Sequence, residues 1–363
     1  TKKTLLLRVG DSEDMSDIEE ISYFESDQEK VNAAIEEARK GYGFVSPNPL
    51  VGAVVVKDGN IIGKGYHHQC GMPHAEVEAV RDAESNGYSC ENAEIYVTLE
   101  PCCTYGRTPP CTELICSRKF RFVSIGTLDP NPAHAGHALK IFEEHGIRYE
   151  VGVCEKECIE LNHIFFKYIT SGKPYVFLKM GVTLDGKIAC ANGCSKFITG
   201  SEARKRVQYL RRGFDAIIVG ANTVRKDVPT LFARNDDGTL FERKIKRFIA
   251  SKTMTFNELE IIYGNVENVA DFEIADVSTA EKWDDFLHKL AERKITSLFI
   301  EGGSELAASA LAANVVDRVE FHIAPKIMGG QNSISAVGGK SPLDLSDIYD
   351  LDNVQIMQLG NDI

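Results

Sequence analysis

His74-Ala-Glu76 and, further along, Pro101-Cys102 and Cys111 supply one imidazole, two thiols and a carboxylate. Zinc takes nitrogen and sulfur ligands in a tetrahedron, and a catalytic site keeps one of the four positions for water. On this reading His74, Cys102 and Cys111 fill the other three, and the metal brings the pKa of its water from about 15.7 to near 7. Glu76, just past the histidine, is placed to carry the proton. Zinc nucleobase deaminases divide the labour this way, with glutamate as acid/base and not as ligand. Their chemistry releases ammonia from a heterocyclic amine. A purely structural zinc site is the competing reading, but such sites are closed by four protein ligands, commonly as two close pairs. Only Cys102 has a close cysteine neighbour, Cys103, and adjacent thiolates rarely suit one tetrahedral ion. Cys103 therefore reads as a bystander.

The elements that must position these groups sit in a chain of 363 residues, about the length of two domains. A formal charge of −12 argues against nucleic acid as a partner, because phosphate-backbone binders need a dense basic surface. Ten cysteines without the spacing of a small disulfide scaffold suit a reducing compartment, so the cytoplasm is expected. Leu5-Leu6-Leu7 is too short for an export signal, and no apolar run reaches the roughly 18 residues of a membrane span. Residues 1–25 are acidic and weakly patterned, which predicts a mobile tail, with Met15 a candidate natural start.

Apolar spacing predicts a helix over Gln28–Gly41, strands at Val51–Val56 and Ile61–Gly63, and a helix over His74–Glu84. A strand over Ala93–Leu99, a helix over Thr112–Lys119, a strand over Arg121–Leu128 and a helix over His137–His145 follow. This alternation implies a layered α/β sandwich, with His74 and Cys102 at strand-to-helix junctions. A long helix over Glu155–Ile169 leads to Ser171-Gly-Lys-Pro174, after which the pattern restarts at Tyr175–Met180. The boundary is placed there, giving a first domain at 26–172 and a second at 173–363. In the second, helices are predicted at Glu202–Arg212, Glu281–Arg293 and Ser304–Ala313, with strands at Ala216–Gly220, Arg247–Ala250 and Ser297–Ile300.

Eight residues separate the two cysteines, in the run CCTYGRTPPC, with PNPLVGAVVVKDG before it and LDPNPAHAG after it. This pattern resembles the deaminase domain of the bifunctional riboflavin biosynthesis family that joins a diaminohydroxyphosphoribosylaminopyrimidine deaminase to a 5-amino-6-(5-phosphoribosylamino)uracil reductase. The resemblance implies a cytidine-deaminase-like fold, a zinc cofactor and a ribosylaminopyrimidine phosphate as substrate, bound with the help of Asn48, Arg107 and Asn131. Asn48 and Asn131 both precede prolines, which is turn chemistry in its own right, and Arg107 also fits as a plain loop cation. The chain departs from the family where Cys103-Thr104 replaces a usual Ser-His and where His137 and Ala138 replace a usual Arg-Gly.

LKMGVTLDGKIA, KFITGSEAR, GANTVRKDVPTL and IEGGSELAAS resemble, in order, the reductase domain of the same family. That implies a dihydrofolate-reductase-like α/β fold, NADPH as cofactor, reduction of the ribosyl group to ribityl, and dimers formed through this domain. The implied cofactor residues are Gly181, Phe197, Thr223, Asp227, Ser251, Gly302, Gly303 and Ser304, with Phe197 where tryptophan is frequent and Ala250 where aspartate is usual. Glycines opening a helix also suit a pyrophosphate on physical grounds. The implied substrate residues are Lys179, Ser195, Arg211, Leu231, Arg234 and Glu301, with Arg211 and Arg234 the phosphate candidates because a guanidinium forks onto two oxygens. Two rivals stand beside this reading: a nucleoside or tRNA deaminase, sharing the His-Ala-Glu and Pro-Cys core, and a non-catalytic zinc-stabilised binding protein.

Overall fold

The structure is a computed structural model that describes residues 16–105, 109–264 and 269–363, with side chains from Asp27 onward. The chain divides into two compact units, Thr1–Thr170 and Ser171–Ile363.

The first unit runs α1 (Ser16–Arg39), β1 (Gly52–Lys57), β2 (Asn60–Tyr66), α2 (Ala75–Ser85), β3 (Glu94–Val97), α3 (Cys111–Ser117), β4 (Phe122–Ile125), α4 (His137–Glu144), β5 (Arg148–Val151), α5 (Glu155–Leu161) and α6 (His163–Ser171). Its sheet is ordered β2-β1-β3-β4-β5, antiparallel around β1 and parallel from β3 to β5. Successive side chains of a strand point to opposite faces. Ala53 and Val55 of β1 accordingly pack with Ala75, Ala79 and Ile95, while Val54 and Val56 pack with Val31, Ala34 and Ile35 of α1. Helices cover both faces, which is the expected sandwich.

Close approach of α1 to β1 depends on Gly52, where a Cβ would meet the Ala34 carbonyl oxygen and the Ala38 nitrogen inside contact distance. Gly52→Ala should therefore destabilise the unit by about 1–3 kcal/mol through overpacking. Chemical denaturation would show this as a lowered midpoint; an unchanged midpoint would mean that α1 can shift freely.

Two expectations fail here. The tail was expected through residue 25, yet α1 already starts at Ser16, and residues 1–15 lie outside the described residues. An acidic start suits a helix N-terminus, whose dipole favours negative charge. The helix expected over Glu155–Ile169 is broken at Asn162. This buried side chain accepts from Leu50 N and donates to Leu50 O, each at 2.8 Å. Asparagine competing for backbone bonds is a poor helix-interior residue, and here it ties the chain next to Asn48 to the α5–α6 corner.

The second unit runs β6 (Tyr175–Thr183), β7 (Lys187–Ala189), α7 (Ser201–Gly213), β8 (Ala216–Gly220), α8 (Ala221–Asp227), β9 (Lys246–Ala250), α9 (Phe256–Tyr263), β10 (Phe272–Ala275), α10 (Ala280–Glu292), β11 (Ser297–Glu301), α11 (Ser304–Ala312), β12 (Arg318–Ala324) and β13 (Ile334–Ser335). A parallel sheet is ordered β10-β9-β8-β11-β6-β12. Central strands buried on both faces read as unbroken apolar runs, as Ala216–Val219 does. One face packs on Trp283, Leu287 and Leu290 of α10; the other carries the ring cluster Phe177, Phe214 and Phe299.

Candidate functional site

His74 stands at the N-cap of α2, Cys102 in the loop after β3, and Cys111 at the first position of α3. Pro110, with φ −64° and ψ 143°, starts α3 one residue earlier than the apolar pattern predicts. The thiol at a helix start is therefore Cys111, and not Cys102. The Cys111 backbone N–H points at Cys102 Sγ at 3.3 Å, which favours the thiolate. His74 Nδ1 lies 3.5 Å from Cys102 Sγ and 3.4 Å from Cys111 Sγ, and the three donor atoms all fall within 4.8 Å of one another. Ligands at tetrahedral Zn–S and Zn–N distances stand about 3.6 Å apart. The donor set thus fits zinc in both chemistry and spacing. Cys103 turns elsewhere, to His134 Nδ1 at 3.7 Å.

The hydrogen bond to Cys102 raises the His74 pKa to about 9. Cys111 donates to Cys102, holding that thiol down at about 4 while its own rises. Glu76, in the first turn of α2, is only 3 % exposed. Burial first, then the charge of Cys102, pushes its carboxyl up to about 7, against the opposing pull of His74. A carboxyl that changes state near neutrality is matched to proton transfer.

Two loops converge beside this cluster. Asn48 Nδ2 meets His67 Nε2 at 3.0 Å, and His67 Nδ1 meets the Pro73 carbonyl, also at 3.0 Å. A carbonyl only accepts, so Nδ1 carries the proton and Nε2 accepts from the Asn48 amide. The Asn48 oxygen is thereby turned away from His67 and meets Cys70 Sγ at 3.8 Å. The Asn131 oxygen accepts from Ala133 N at 3.1 Å, the turn chemistry its sequence context offers. Arg107 lies outside the described residues.

Sequence reasoning missed Glu100. Its buried carboxylate accepts from Asp129 N, Gly136 N and Ala138 N at 3.2, 2.9 and 3.1 Å, fixing the Asn131 loop from a position next to Pro101-Cys102. The signal was its place in the Leu-Glu-Pro-Cys run. Sequence reasoning also passed over His67, which the pair His67-His68 disguised.

In the second unit a cavity of about 840 Å³ opens at the carboxyl ends of β6, β8, β9 and β11. Of the cofactor positions the resemblance implies, Gly181, Phe197, Thr223, Asp227, Ser251, Gly302, Gly303 and Ser304 all line it. Gly302 and Gly303 have φ of +72° and +88°, a backbone that glycine adopts without strain, and they open α11, whose first N–H groups suit a pyrophosphate. The walls and size fit a dinucleotide. Of the implied substrate positions, Lys179, Ser195, Arg211, Leu231 and Glu301 also line the cavity. Arg234 does not: its guanidinium donates to the Gly238 carbonyl at 2.9 Å in a local turn.

Register builds the cavity's charged wall. Glu301 and Lys179, which both line the cavity, sit opposite one another on adjacent strands, and Glu320 flanks Lys179 from the next strand, outside the lining, so charge alternates in sign along the row. Arg211 gives Glu301 two bonds at 2.9 and 2.7 Å and the Phe232 carbonyl a third at 3.1 Å. Burial opposes ionisation of Glu301, yet Arg211 and Lys179 hold its pKa below the usual range. Lys179 is itself buried, which lowers its pKa against the pull of Glu301.

A zinc-ligand cluster with an adjacent buried glutamate, joined to an α/β unit with a dinucleotide-sized cavity, defines a deaminase and a reductase on one chain. The profile of the cytidine and deoxycytidylate deaminase zinc-binding region matches residues 24–127, and that of the RibD C-terminal domain matches residues 174–363. The chain is 38% identical to the riboflavin biosynthesis protein RibD of Aquifex aeolicus, over 93% of this chain and 97% of that one. It is 36% identical to RibD of Actinobacillus pleuropneumoniae, over 93% and 94%. A solved diaminohydroxyphosphoribosylaminopyrimidine deaminase/5-amino-6-(5-phosphoribosylamino)uracil reductase from Thermotoga maritima superposes with a TM-score of 0.80 at 36% identity, covering 94% of this chain and 97% of that one. The chain belongs to the RibD family of riboflavin biosynthesis proteins. Its first half is cytidine-deaminase-like and its second dihydrofolate-reductase-like, with zinc and NADPH the respective cofactors. Among the described residues no helix is long and apolar enough to cross a membrane.

Proposed function

We propose that residues 26–172 hydrolyse the ring amine of 2,5-diamino-6-(5-phosphoribosylamino)pyrimidin-4-one and that residues 173–363 then reduce its ribosyl group to ribityl. The convergence of His74, Cys102 and Cys111 beside buried Glu76 carries the first assignment. His74, Cys102 and Cys111 would hold the zinc, which when bound would supply a water acidic enough to ionise near neutral pH. Glu76 takes up the proton and returns it to the departing amine, a role supported by its buried place in the first turn of α2, two residues past His74. Asn48 offers its carbonyl oxygen to the base, with Asn131 and Arg107 assigned to the ribose and phosphate.

In the second site NADPH supplies a hydride, and the protein's part is to hold donor and acceptor in register. Gly302, Gly303, Ser304, Gly181, Thr223, Asp227, Ser251 and Phe197 are assigned to the cofactor, and Lys179, Ser195, Leu231 and Glu301 to the substrate. Arg211 still has two of its five N–H groups for a phosphate after bonding Glu301 and Phe232; Arg234, outside the cavity, is set aside. We place the enzyme in the cytoplasm, where ten reduced cysteines are at home. We also propose that it pairs with a second copy through the carboxy-terminal unit, whose Leu343, Leu345, Val354 and Ile356 are 98, 82, 76 and 82 % exposed. The acidic net charge leaves nucleic acid out.

The direct test supplies the synthetic pyrimidine phosphate with and without NADPH. Ammonia should appear in both samples and NADPH oxidation only in the second; no ammonia from this substrate would overturn the reading. Arg211→Ala should lower kcat/KM for reduction by about 10- to 100-fold, the worth of a charged hydrogen bond, and leave ammonia release intact. A normal KM for the deaminated substrate would remove Arg211 from phosphate binding.

A further inference from the structure

Phe197 is 72 % exposed, lines the cavity and has φ of +65°. Left-handed backbone is strained for a phenylalanine, and such strain persists only where the surroundings impose it. Here each of four consecutive residues is held from elsewhere in the unit. Lys326 Nζ, just beyond β12, donates to the Phe197 carbonyl at 3.1 Å and the Ile198 carbonyl at 2.6 Å. Arg204 donates to the Thr199 carbonyl at 2.9 Å and stands 5.3 Å from the Phe197 ring centroid. Gly200 N donates to Asp362 at 2.6 Å.

Lys326 is itself anchored. Its carbonyl accepts from Leu184 N at 2.8 Å, and the next turn is gripped by Asp185, which accepts from Met328 N at 3.0 Å and Gly329 N at 2.8 Å. Those bonds, with the one from Thr183 Oγ1, hold the Asp185 carboxyl down at about 2. The turn between β6 and β7 therefore fixes the lysine, and the lysine holds the two carbonyls.

We propose that Lys326 is a positioning residue for the cofactor: it pins the Phe197–Ile198 backbone so that the exposed ring stands ready to stack on a planar ring of the dinucleotide. This rests on the assignment of Phe197 to the cofactor. Pinning the platform before binding removes an ordering cost from each binding event.

The test is calorimetric titration of NADP+ into the full-length, zinc-loaded protein, comparing Phe197→Ala, Lys326→Met, Lys326→Arg and the Phe197→Ala/Lys326→Met pair. Phe197→Ala and Lys326→Met should each raise Kd roughly five- to tenfold, the range of one aromatic contact. The pair should be no weaker than Phe197→Ala alone, because the lysine acts through the ring. Lys326→Arg should stay within about twofold of the parent, since a guanidinium can also donate to both carbonyls. An unchanged Kd in Lys326→Met beside a raised one in Phe197→Ala, or single effects that multiply in the pair, would overturn the proposal. An unchanged Kd in Phe197→Ala would instead sink the assignment of Phe197 itself.

Discussion

Replacing Glu76 by glutamine should leave zinc bound and stop ammonia release. Glutamine keeps the shape of a side chain with almost no access to solvent, so α2 and the neighbouring His74 stay in place. What is lost is the capacity to hold a proton between two steps. Positioned acid/base groups contribute about 10²- to 10⁴-fold, and the fall in ammonia release should lie in that range. Reduction of supplied deaminated substrate should continue, because the cavity around Lys179 and Gly302 is built wholly from the second unit. Metal analysis and separate assays of ammonia and NADPH check all three parts. A fully active Glu76→Gln deaminase would remove this residue from the chemistry.

Cys111→Ala should have the opposite metal signature: zinc content collapses and ammonia release goes with it. Cys111 is buried and begins α3, and its sulfur is one of the three donor atoms that lie within 4.8 Å of one another. Changes to the outer partners of metal ligands already cost 10- to 100-fold in affinity, and loss of a direct ligand should exceed about 100-fold. Cys103→Ala is the matched control. Its sulfur faces His134 and not the cluster, so zinc should be retained at full stoichiometry. Equal zinc loss in both variants would mean that the ligand set has been misread.

Much of this was legible in the residues. The alternation of helix and strand, the glycines before α11 and the zinc trio all depend on local patterns, which a sequence displays directly. Other features depend on long-range contacts that no window contains. Asn162 breaks a helix because Leu50, far away in the chain, needs its amide. Arg234 resembles a phosphate ligand by type and position, but a turn carbonyl takes its guanidinium. Strands β10 and β12 and helices α8 and α9 went unread, since their half-buried runs match neither period cleanly. Lys326 had no motif at all; only the path of the backbone brings it under Phe197.

Glu100 has a consequence for how the deaminase half can vary. One carboxylate next to Cys102 grips three amides of the segment that carries Asn131. The Cys102 loop and the Asn131 loop are thus riveted together, and neither can be lengthened or exchanged alone. Attempts to retarget this half toward other amines would have to graft both loops as one cassette.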